Sequence, residues 1–270
     1  MIWSDWKNSY NIIVEELDLN AEADEKTSEL LDDFFCSIST KKKNTIHQKL
    51  SHIFQHPVII AGAGPSLKQD LTALLKFKTI QNLPMISVNG ATTLFKQKEI
   101  VPLVVVSDLD GDLTAIKWAI EKGALTLLHG HGDNHNIIFN FLEQHHDIVS
   151  NYDVWGTTQC KPKISLFNFG GFTDGDRAIF IAFHFQSPLI GLIGFDFGVK
   201  IGQYSVLNSS IKKNEKFKLK KFKIALTLLE KFHSRHTGTR YNLTTQGEVV
   251  PGFPKRNIPT FISELAEYYK

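Results

Sequence analysis

Between about residues 57 and 193 the apolar residues fall in short, mostly β-branched runs rather than at helical spacing. The runs are Pro57 to Ala61, Met85 to Val88, Leu103 to Val106, Leu125 to Leu128, Val154 to Trp155 and Leu189 to Ile193. Each is followed by Gly, Pro or Asp and then by a segment of helical periodicity, so each reads as a buried strand feeding a helix. Repeated strand–helix units predict right-handed crossovers and an α/β, doubly wound, mainly parallel sheet. Residues 1–55 read differently. Ile12, Ile13 and Leu17, then Leu30, Leu31, Phe34 and Phe35, recur near helical spacing with acidic residues between them. They predict a small helical N-terminal unit, with an α/β domain over residues 56–270. Past residue 205, a lysine-rich run from Lys212 to Lys223 leads into Ile224 to Leu229 and predicts a long helix ending near Arg235. The stretch from Gly247 to Pro259 reads as loop, and a short helix is expected near Phe261 to Tyr269. In sheets of this kind ligands bind beyond the carboxyl ends of the strands, so the residues just after each strand carry the functional information.

Composition narrows the class. The chain has 270 residues, 42% hydrophobic and 21% charged, which suits a soluble globular protein with one large domain and a small appendage. A net charge of +2 gives no general drive toward nucleic acid or a membrane surface. Cys36 and Cys160 form no CxxC pair, so neither a disulfide framework nor a zinc finger is expected, and a cytoplasmic location fits. Met1 to Trp6 lacks the pattern of a signal peptide, and no apolar stretch reaches the roughly 18 residues of a membrane span. A homo-oligomer is left open.

The third apolar run ends in Ser107-Asp108-Leu109-Asp110-Gly111. On an extended segment alternate side chains point the same way, so Asp108 and Asp110 are expected to converge. Close carboxylates repel unless a cation sits between them, and Mg²⁺ bridges protein carboxylates to substrate phosphates. The plain alternative is a solvated, Asp-rich turn. After the first run comes Gly62-Ala63-Gly64-Pro65-Ser66-Leu67. Its glycines let backbone amides approach a phosphate at a helix N-terminus. It is not a Walker A loop, and as a dinucleotide fingerprint it is incomplete: Leu67 replaces the third glycine, and Asn89-Gly90 after the second run offers no carboxylate for a ribose. The fourth run ends in His129-Gly130-His131-Gly132-Asp133-Asn134-His135. This nearly matches the His-x-His-x-Asp-His pattern of metallo-β-lactamases, but Asn134 replaces the last histidine; a polar turn is the simpler reading. Thr158 and Gln159 follow the fifth run. In Gly171-Phe172-Thr173-Asp174-Gly175-Asp176-Arg177-Ala178, Thr173 or Asp174 is placed to cap a helix, while Asp174, Asp176 and Arg177 offer metal- and phosphate-binding groups in one turn. Asp196 follows the last apolar run in Gly194-Phe195-Asp196-Phe197-Gly198. Lys218 and Lys221 lie one helical turn apart; they suit either a solvated face or phosphates.

Taken in order, the Gly62–Leu67, Ser107–Gly111, His131–Asn134, Gly171–Ala178 and Gly194–Gly198 segments resemble the archaeal MptE-like 6-hydroxymethyl-7,8-dihydropterin pyrophosphokinases. The resemblance spans about residues 57 to 255 and leaves the N-terminal unit outside. That family is related to thiamine pyrophosphokinases, in which a Gly-Asp-x-Asp-Ser element and a later Thr-Asp-x-x-Lys-Ala element hold magnesium and ATP. Ser107–Gly111 is similar to the first element. Thr173–Ala178 is similar to the second, with Arg177 in place of lysine, a change that keeps the charge and alters the geometry. The resemblance implies transfer of diphosphate from ATP to a hydroxymethyl pterin, with release of AMP, in pterin or folate biosynthesis. It implies Mg²⁺ on Asp108, Asp110 and Asp174, phosphates cradled by Gly62, Gly64, Pro65, Ser66 and Arg177, and Lys218 and Lys221 as further phosphate ligands. Asn89, His131, Asp133, Asn134, Thr158, Gln159, Asp176 and Asp196 are the candidates for substrate contacts. Rival readings are a thiamine pyrophosphokinase-like enzyme, a haloacid-dehalogenase-type phosphatase with Asp108 as nucleophile, a sialyltransferase-like glycosyltransferase, and a nucleotide-binding module without turnover.

Overall fold

The structure is a computed structural model that describes residues 3–198, 202–205 and 215–269. The chain opens with three helices, α1 (Trp3–Leu17), α2 (Ala21–Ile38) and α3 (Thr40–Phe54). Strands and helices then alternate: β1 (Val58–Ala61), α4 (Leu67–Leu74), β2 (Met85–Val88), α5 (Ala91–Gln97), β3 (Val104–Ser107), α6 (Leu113–Glu121), β4 (Leu125–Gly130), α7 (His135–Gln144), α8 (His146–Asn151), β5 (Val154–Thr158), α9 (Asp174–His184) and β6 (Leu189–Ile193). The chain closes with α10 (Glu215–Phe232), β7 (Thr239–Asn242) and α11 (Ile258–Tyr268).

Seven strands form one sheet in the order β5-β4-β3-β2-β1-β6-β7, and every pairing is parallel. The expected α/β, doubly wound sheet is therefore present, and all the strands predicted from apolar runs are in it. β7 was not anticipated. Its side chains are mostly half-exposed, so the Thr239–Asn242 segment carries no apolar run, and at the end of the sheet β6 is its one neighbouring strand among the described residues. The predicted lysine-rich helix is α10; Lys212 and Lys213 lie outside the described residues.

Period-2 alternation explains the two-sided core. Val58 and Ile60 of β1 enter one apolar cluster together with α1–α3, α9 and α10. Ile59 and Ala61 of the same strand enter a second cluster, with α4, α5 and α11. Both faces are dry, which is why the strands read as largely apolar runs, broken by the buried Ser87 and Thr126, rather than as alternating ones. Trp6, Ile13, Leu31, Phe35, Ile46 and Leu50 belong to the first of these clusters, so the N-terminal helices are part of the principal core.

The strand order sets the position of the site. From β1 the sheet grows through β2, β3, β4 and β5 in one direction; the chain then returns to place β6 on the other side of β1. In parallel sheets of this kind the ligand crevice lies beyond the carboxyl ends of the strands where the order reverses, here beside β1 and β6.

Candidate active site

One large cavity, about 650 Å³, lies at this end of the sheet. Its walls come from the loops after β1, β2, β3, β4 and β6, from the N-terminal ends of α2 and α9, and from α10. Asp108, Asp110, Asp174, Arg177, Asn89, His131, Asp133, Gln159, Asp196, Gly62, Gly64, Pro65, Lys218 and Lys221 all line it.

Asp108 and Asp110 do converge, but not by strand alternation. β3 ends at Ser107, and Leu109 adopts φ 63. That left-handed conformation is uncommon for a branched apolar residue. It is held because Ser107 Oγ accepts from Leu109 N at 2.9 Å and Asn134 Nδ2 donates to the Asp108 carbonyl at 2.7 Å. Asp110 N donates to Asp108 Oδ1 at 3.2 Å, closing an Asx-type turn. The Asn89 amide then bridges the two carboxylates, donating to Asp108 Oδ1 at 3.0 Å and to Asp110 Oδ1 at 2.6 Å. Ser107 Oγ donates to Asn89 Oδ1 at 3.1 Å and fixes that orientation. A neutral amide thus places its two hydrogens where like charges would otherwise face each other.

Asp174, the first residue of α9, brings a third carboxylate to the same place. Its Oδ2 accepts from Asp108 N at 3.2 Å, and its Oδ1 accepts from Arg177 Nη1 at 2.7 Å. Arg177 is buried, and Nη2 also donates to the Phe172 carbonyl at 3.1 Å. Burial raises the Asp174 carboxyl well above the usual range, the charges of Asp108 and Asp110 add to this, and Arg177 only partly offsets them. For Asp108 burial also pushes upward, but the hydrogen bond and charge of His131, a hydrogen bond with the Asp110 side chain and the charge of Lys221 outweigh it and hold the carboxyl below its usual range. His131 Nε2 stands 3.5 Å from Asp108 Oδ2. One carboxylate is thus held ionised beside another that resists ionisation, a pair that a dication would stabilise.

The oxygens of Asp108, Asp110 and Asp174 are hard donors of the kind Mg²⁺ takes. Among the described residues no group of three His, Cys, Asp or Glu side chains is arranged to hold a metal ion by itself, these three carboxylates included. Mg²⁺ usually keeps several waters, uses one or two carboxylates and completes its shell with substrate phosphates. An open carboxylate set facing a cavity is compatible with that habit.

The family model described as "6-hydroxymethylpterin diphosphokinase MptE-like" matches residues 29–202. A Methanocaldococcus jannaschii protein named 6-hydroxymethyl-7,8-dihydropterin pyrophosphokinase is 34% identical, covering 85% of this chain and 95% of its own. Proteins of the same name from Pyrococcus furiosus and Methanothermobacter thermautotrophicus are 36% and 34% identical, covering 85% and 76% of this chain and 94% and 81% of theirs. The chain belongs to the MptE-like family. The match begins inside α2, so the N-terminal helices are not wholly outside the resemblance, as the strand-end motifs alone suggested.

Within this MptE-like fold several expected ligand contacts prove to be supports. Asn134 is buried and absent from the cavity wall; its amide ties the His129 and Asp108 carbonyls together, each at 2.7 Å. Asp176 closes a capping box at the start of α9, accepting from Phe172 N at 2.8 Å, Thr173 N at 2.7 Å and the Thr173 hydroxyl. With both oxygens so used, it does not face the cavity. Thr158 is buried in β5, where its Oγ1 accepts from Cys160 N. Asn89 reaches the cavity, but its amide hydrogens are committed to the carboxylates and are not free for a base edge. Asp133 is exposed at the rim. The β-lactamase-like spacing gathers no metal set: Asp133 is turned to solvent, and His135 Nδ1 lies 3.0 Å from Thr27 Oγ1.

The glycine loop differs from the expected cradle. Gly62 N donates to the Ile193 carbonyl and Gly64 N to the Gly194 carbonyl, both at 2.9 Å, so these amides stitch the loop to the end of β6. Close approach is the reason for glycine: a Cβ on Gly64 would lie 2.3 Å from Asp196 Oδ2. Ser66 turns inward, away from any phosphate, donating its N–H to Asp196 Oδ2 at 2.9 Å, with Oγ 2.6 Å from Asp70 Oδ2 and 2.8 Å from Asp196 Oδ2. Lys218 and Lys221 do reach the cavity from α10; Lys218 Nζ donates to the Ser205 carbonyl, and Lys221 Nζ lies over the Phe172 and Phe217 rings.

Asp24 of α2 was missed by the sequence reading. It is buried at the cavity wall and accepts from Gly132 N at 2.6 Å, Tyr10 OH at 2.8 Å and Gln159 Nε2 at 2.7 Å. Its sequence context, Ala21-Glu22-Ala23-Asp24-Glu25, is that of a solvated acidic helix end, and nothing in it marks the one buried carboxylate.

Proposed function

We propose that this protein transfers the terminal diphosphate of ATP to the hydroxymethyl group of a reduced 6-hydroxymethyl pterin and releases AMP. The observation that carries this reading is the meeting of three carboxylates with Arg177, Lys218 and Lys221 around one cavity, in a chain whose relatives of near-equal length are named for a pterin pyrophosphokinase activity. In the reaction the pterin hydroxyl oxygen forms a bond to the β-phosphorus. The bond from that phosphorus to the α–β bridging oxygen breaks, AMP leaves with that oxygen, and the hydroxyl proton passes to water.

Chemistry of this type depends on positioning and on neutralising phosphate charge rather than on a strong base. Asp108, Asp110 and Asp174 are the residues that would hold Mg²⁺, which supplies charge neutralisation and alignment of the phosphates. Arg177, fixed by Asp174 and by the Phe172 carbonyl, presents its guanidinium to the cavity from the buried start of α9. Lys218 and Lys221 bring further positive charge from α10. Asp108 has little freedom to act as a phosphatase nucleophile, since Oδ1 accepts from Asn89 and Asp110 N and Oδ2 faces His131.

The test is incubation with ATP, Mg²⁺ and a panel of alcohols that includes the reduced pterin and thiamine, scoring AMP against ADP. AMP in step with a pterin diphosphate is expected. ADP accumulation would mean single phosphate transfer, and release of AMP with thiamine alone would reassign the acceptor.

A further inference from the structure

Asp196 stands at the switch between β1 and β6, and its side chain is only half used. Oδ2 accepts from the Ser66 N–H and lies against the Ser66 hydroxyl. Oδ1 is buried and has no hydrogen-bond partner among the described residues. Asp196 is 9% exposed and lines the cavity. Among the described residues of the cavity wall, no other has a buried side-chain oxygen without a partner. Lys255 does not fill the role, because its Nζ is held by the carbonyls of Thr244 at 2.6 Å and Gln246 at 3.2 Å. Nor can Asp24 act in its place at the other end of the cavity, since both its oxygens are already taken by three donors.

The segment carrying Asp196 is fixed. Gly194 N donates to Asp70 Oδ2 at 3.0 Å, Phe195 N to Thr244 Oγ1 at 3.0 Å, and Glu248 N to the Phe197 carbonyl at 2.8 Å. Phe195 and Phe197 precede and follow Asp196 in the chain, their ring centroids 6.1 Å apart, and Phe222 meets Phe197 edge-on at 5.8 Å. All three rings line the cavity. A buried acceptor with no donor costs free energy that a ligand can recover, and aromatic walls suit a flat ring.

We propose that Asp196 is the specificity-determining residue for the acceptor heterocycle, with Oδ1 accepting from the amino-pyrimidinone edge of the pterin while the ring lies against Phe195 and Phe197. This rests on the function proposed above and deepens it. The edge of a 2-amino-4-oxo-pteridine offers adjacent ring N–H and amino donors. The amino groups of adenine and of the thiamine pyrimidine are each flanked by ring-nitrogen acceptors, which would face the carboxylate unfavourably. Burial, the largest influence, raises the Asp196 carboxyl and Asp70 adds to this, while the Ser66 bonds and Lys255 oppose it. A donor-rich ligand therefore relieves a charge that burial leaves poorly solvated.

The experiment compares the wild-type protein with Asp196→Asn by fluorescence titration with 6-hydroxymethylpterin, by calorimetric titration with a non-hydrolysable ATP analogue, and by turnover. In the variant the amide oxygen can keep the Ser66 N–H, leaving an NH₂ where Oδ1 stood. Pterin affinity is expected to fall roughly ten- to a hundredfold, the range for a hydrogen bond to a charged group, with ATP-analogue affinity unchanged. Wild-type protein should discriminate by a similar factor against 6-hydroxymethyl-lumazine, which carries oxygen in place of the 2-amino group. That measurement needs no variant, so it decides the matter if Asp196→Asn does not fold. Equal wild-type affinity for pterin and lumazine, or equal loss of pterin and ATP-analogue affinity in the variant, overturns the assignment of Asp196. A wild-type protein that neither binds pterin nor releases AMP overturns the proposed function itself.

Discussion

Replacing Asn89 by glycine tests the carboxylate site most directly. Asn89 sits at φ 43, a conformation glycine adopts without strain, so the change removes the amide and leaves the backbone path allowed. Two hydrogen bonds to carboxylates are lost, at 3.0 and 2.6 Å. A hydrogen bond to a charged group contributes about 1.5–3 kcal/mol. Asp108 and Asp110 are only partly buried, so the lower figure applies, giving a cost of about 3 kcal/mol. The greater freedom of glycine in the unfolded chain adds up to about 1 kcal/mol. With 270 residues and an unfolding entropy of about 2.1 cal/mol/K per residue, each kcal/mol moves Tm by roughly 2 °C. Scanning calorimetry in EDTA should therefore show a Tm about 6–8 °C below wild type. In saturating Mg²⁺ the gap should narrow, because a dication would take over the charge neutralisation that the amide supplied. A cation at about 100 times its dissociation constant adds about 2.7 kcal/mol, and the variant, with its carboxylates less screened, should gain more than the wild type. An identical gap in EDTA and in Mg²⁺, or no response of either protein to Mg²⁺, would refute the reasoning and leave Asp108 and Asp110 as a capped polar turn.

Asp24→Ala removes the acceptor shared by Gly132 N, Tyr10 OH and Gln159 Nε2; a loss of about 3–5 kcal/mol and faster amide exchange over residues 130–134 are expected, and unchanged exchange there would show that α2 does not hold the His131 loop. Asp176→Ala should cost about 2 kcal/mol through the lost cap of α9 and leave pterin affinity within a few-fold, whereas a large affinity loss at unchanged Tm would return Asp176 to the substrate. Burial, then the charges of Arg177 and His131, hold the His129 imidazole well below 6.5. The unfolded chain therefore binds that proton first: stability from this group is complete above about pH 6.5 and falls as pH drops below it. His129→Asn should flatten the acid limb of a Tm–pH profile relative to wild type, and parallel limbs would contradict a buried, neutral His129.

The parts of the fold that were legible in the sequence are those where burial is two-sided. β1 to β6 announce themselves as largely apolar runs because helices cover both faces; β7, half-exposed at the end of the sheet, carries no such signal. Topology also told where to look, since most residues flagged after the strands do line one cavity. What each does there was less legible, because a polar side chain after a strand can face the ligand or hold the loop that faces it. Asn134, Asp176 and Ser66 are of the second kind, and a linear pattern does not separate them from Asp108 or Asp174. Even the convergence of Asp108 and Asp110 was expected on the wrong ground, since the geometry comes from left-handed Leu109 and the Asn89 bridge rather than from the pleat.

That division between contacts and supports bears on where selectivity resides. The carboxylates, Arg177 and the α10 lysines can be read as machinery for phosphates, indifferent to the alcohol being modified. Around them stands a set of buried carboxylates both of whose oxygens already accept from protein donors: Asp24 from three, Asp176 from three, Asp70 from Ser66, Gly194 and Thr245. A buried carboxylate whose two oxygens both accept from the protein rigidifies its surroundings and has less demand to place on a ligand. Asp196 differs from these neighbours in one unspent oxygen. Beside buried acids already bonded within the protein, that oxygen on the cavity wall is where exchanging one acceptor alcohol for another should be felt most.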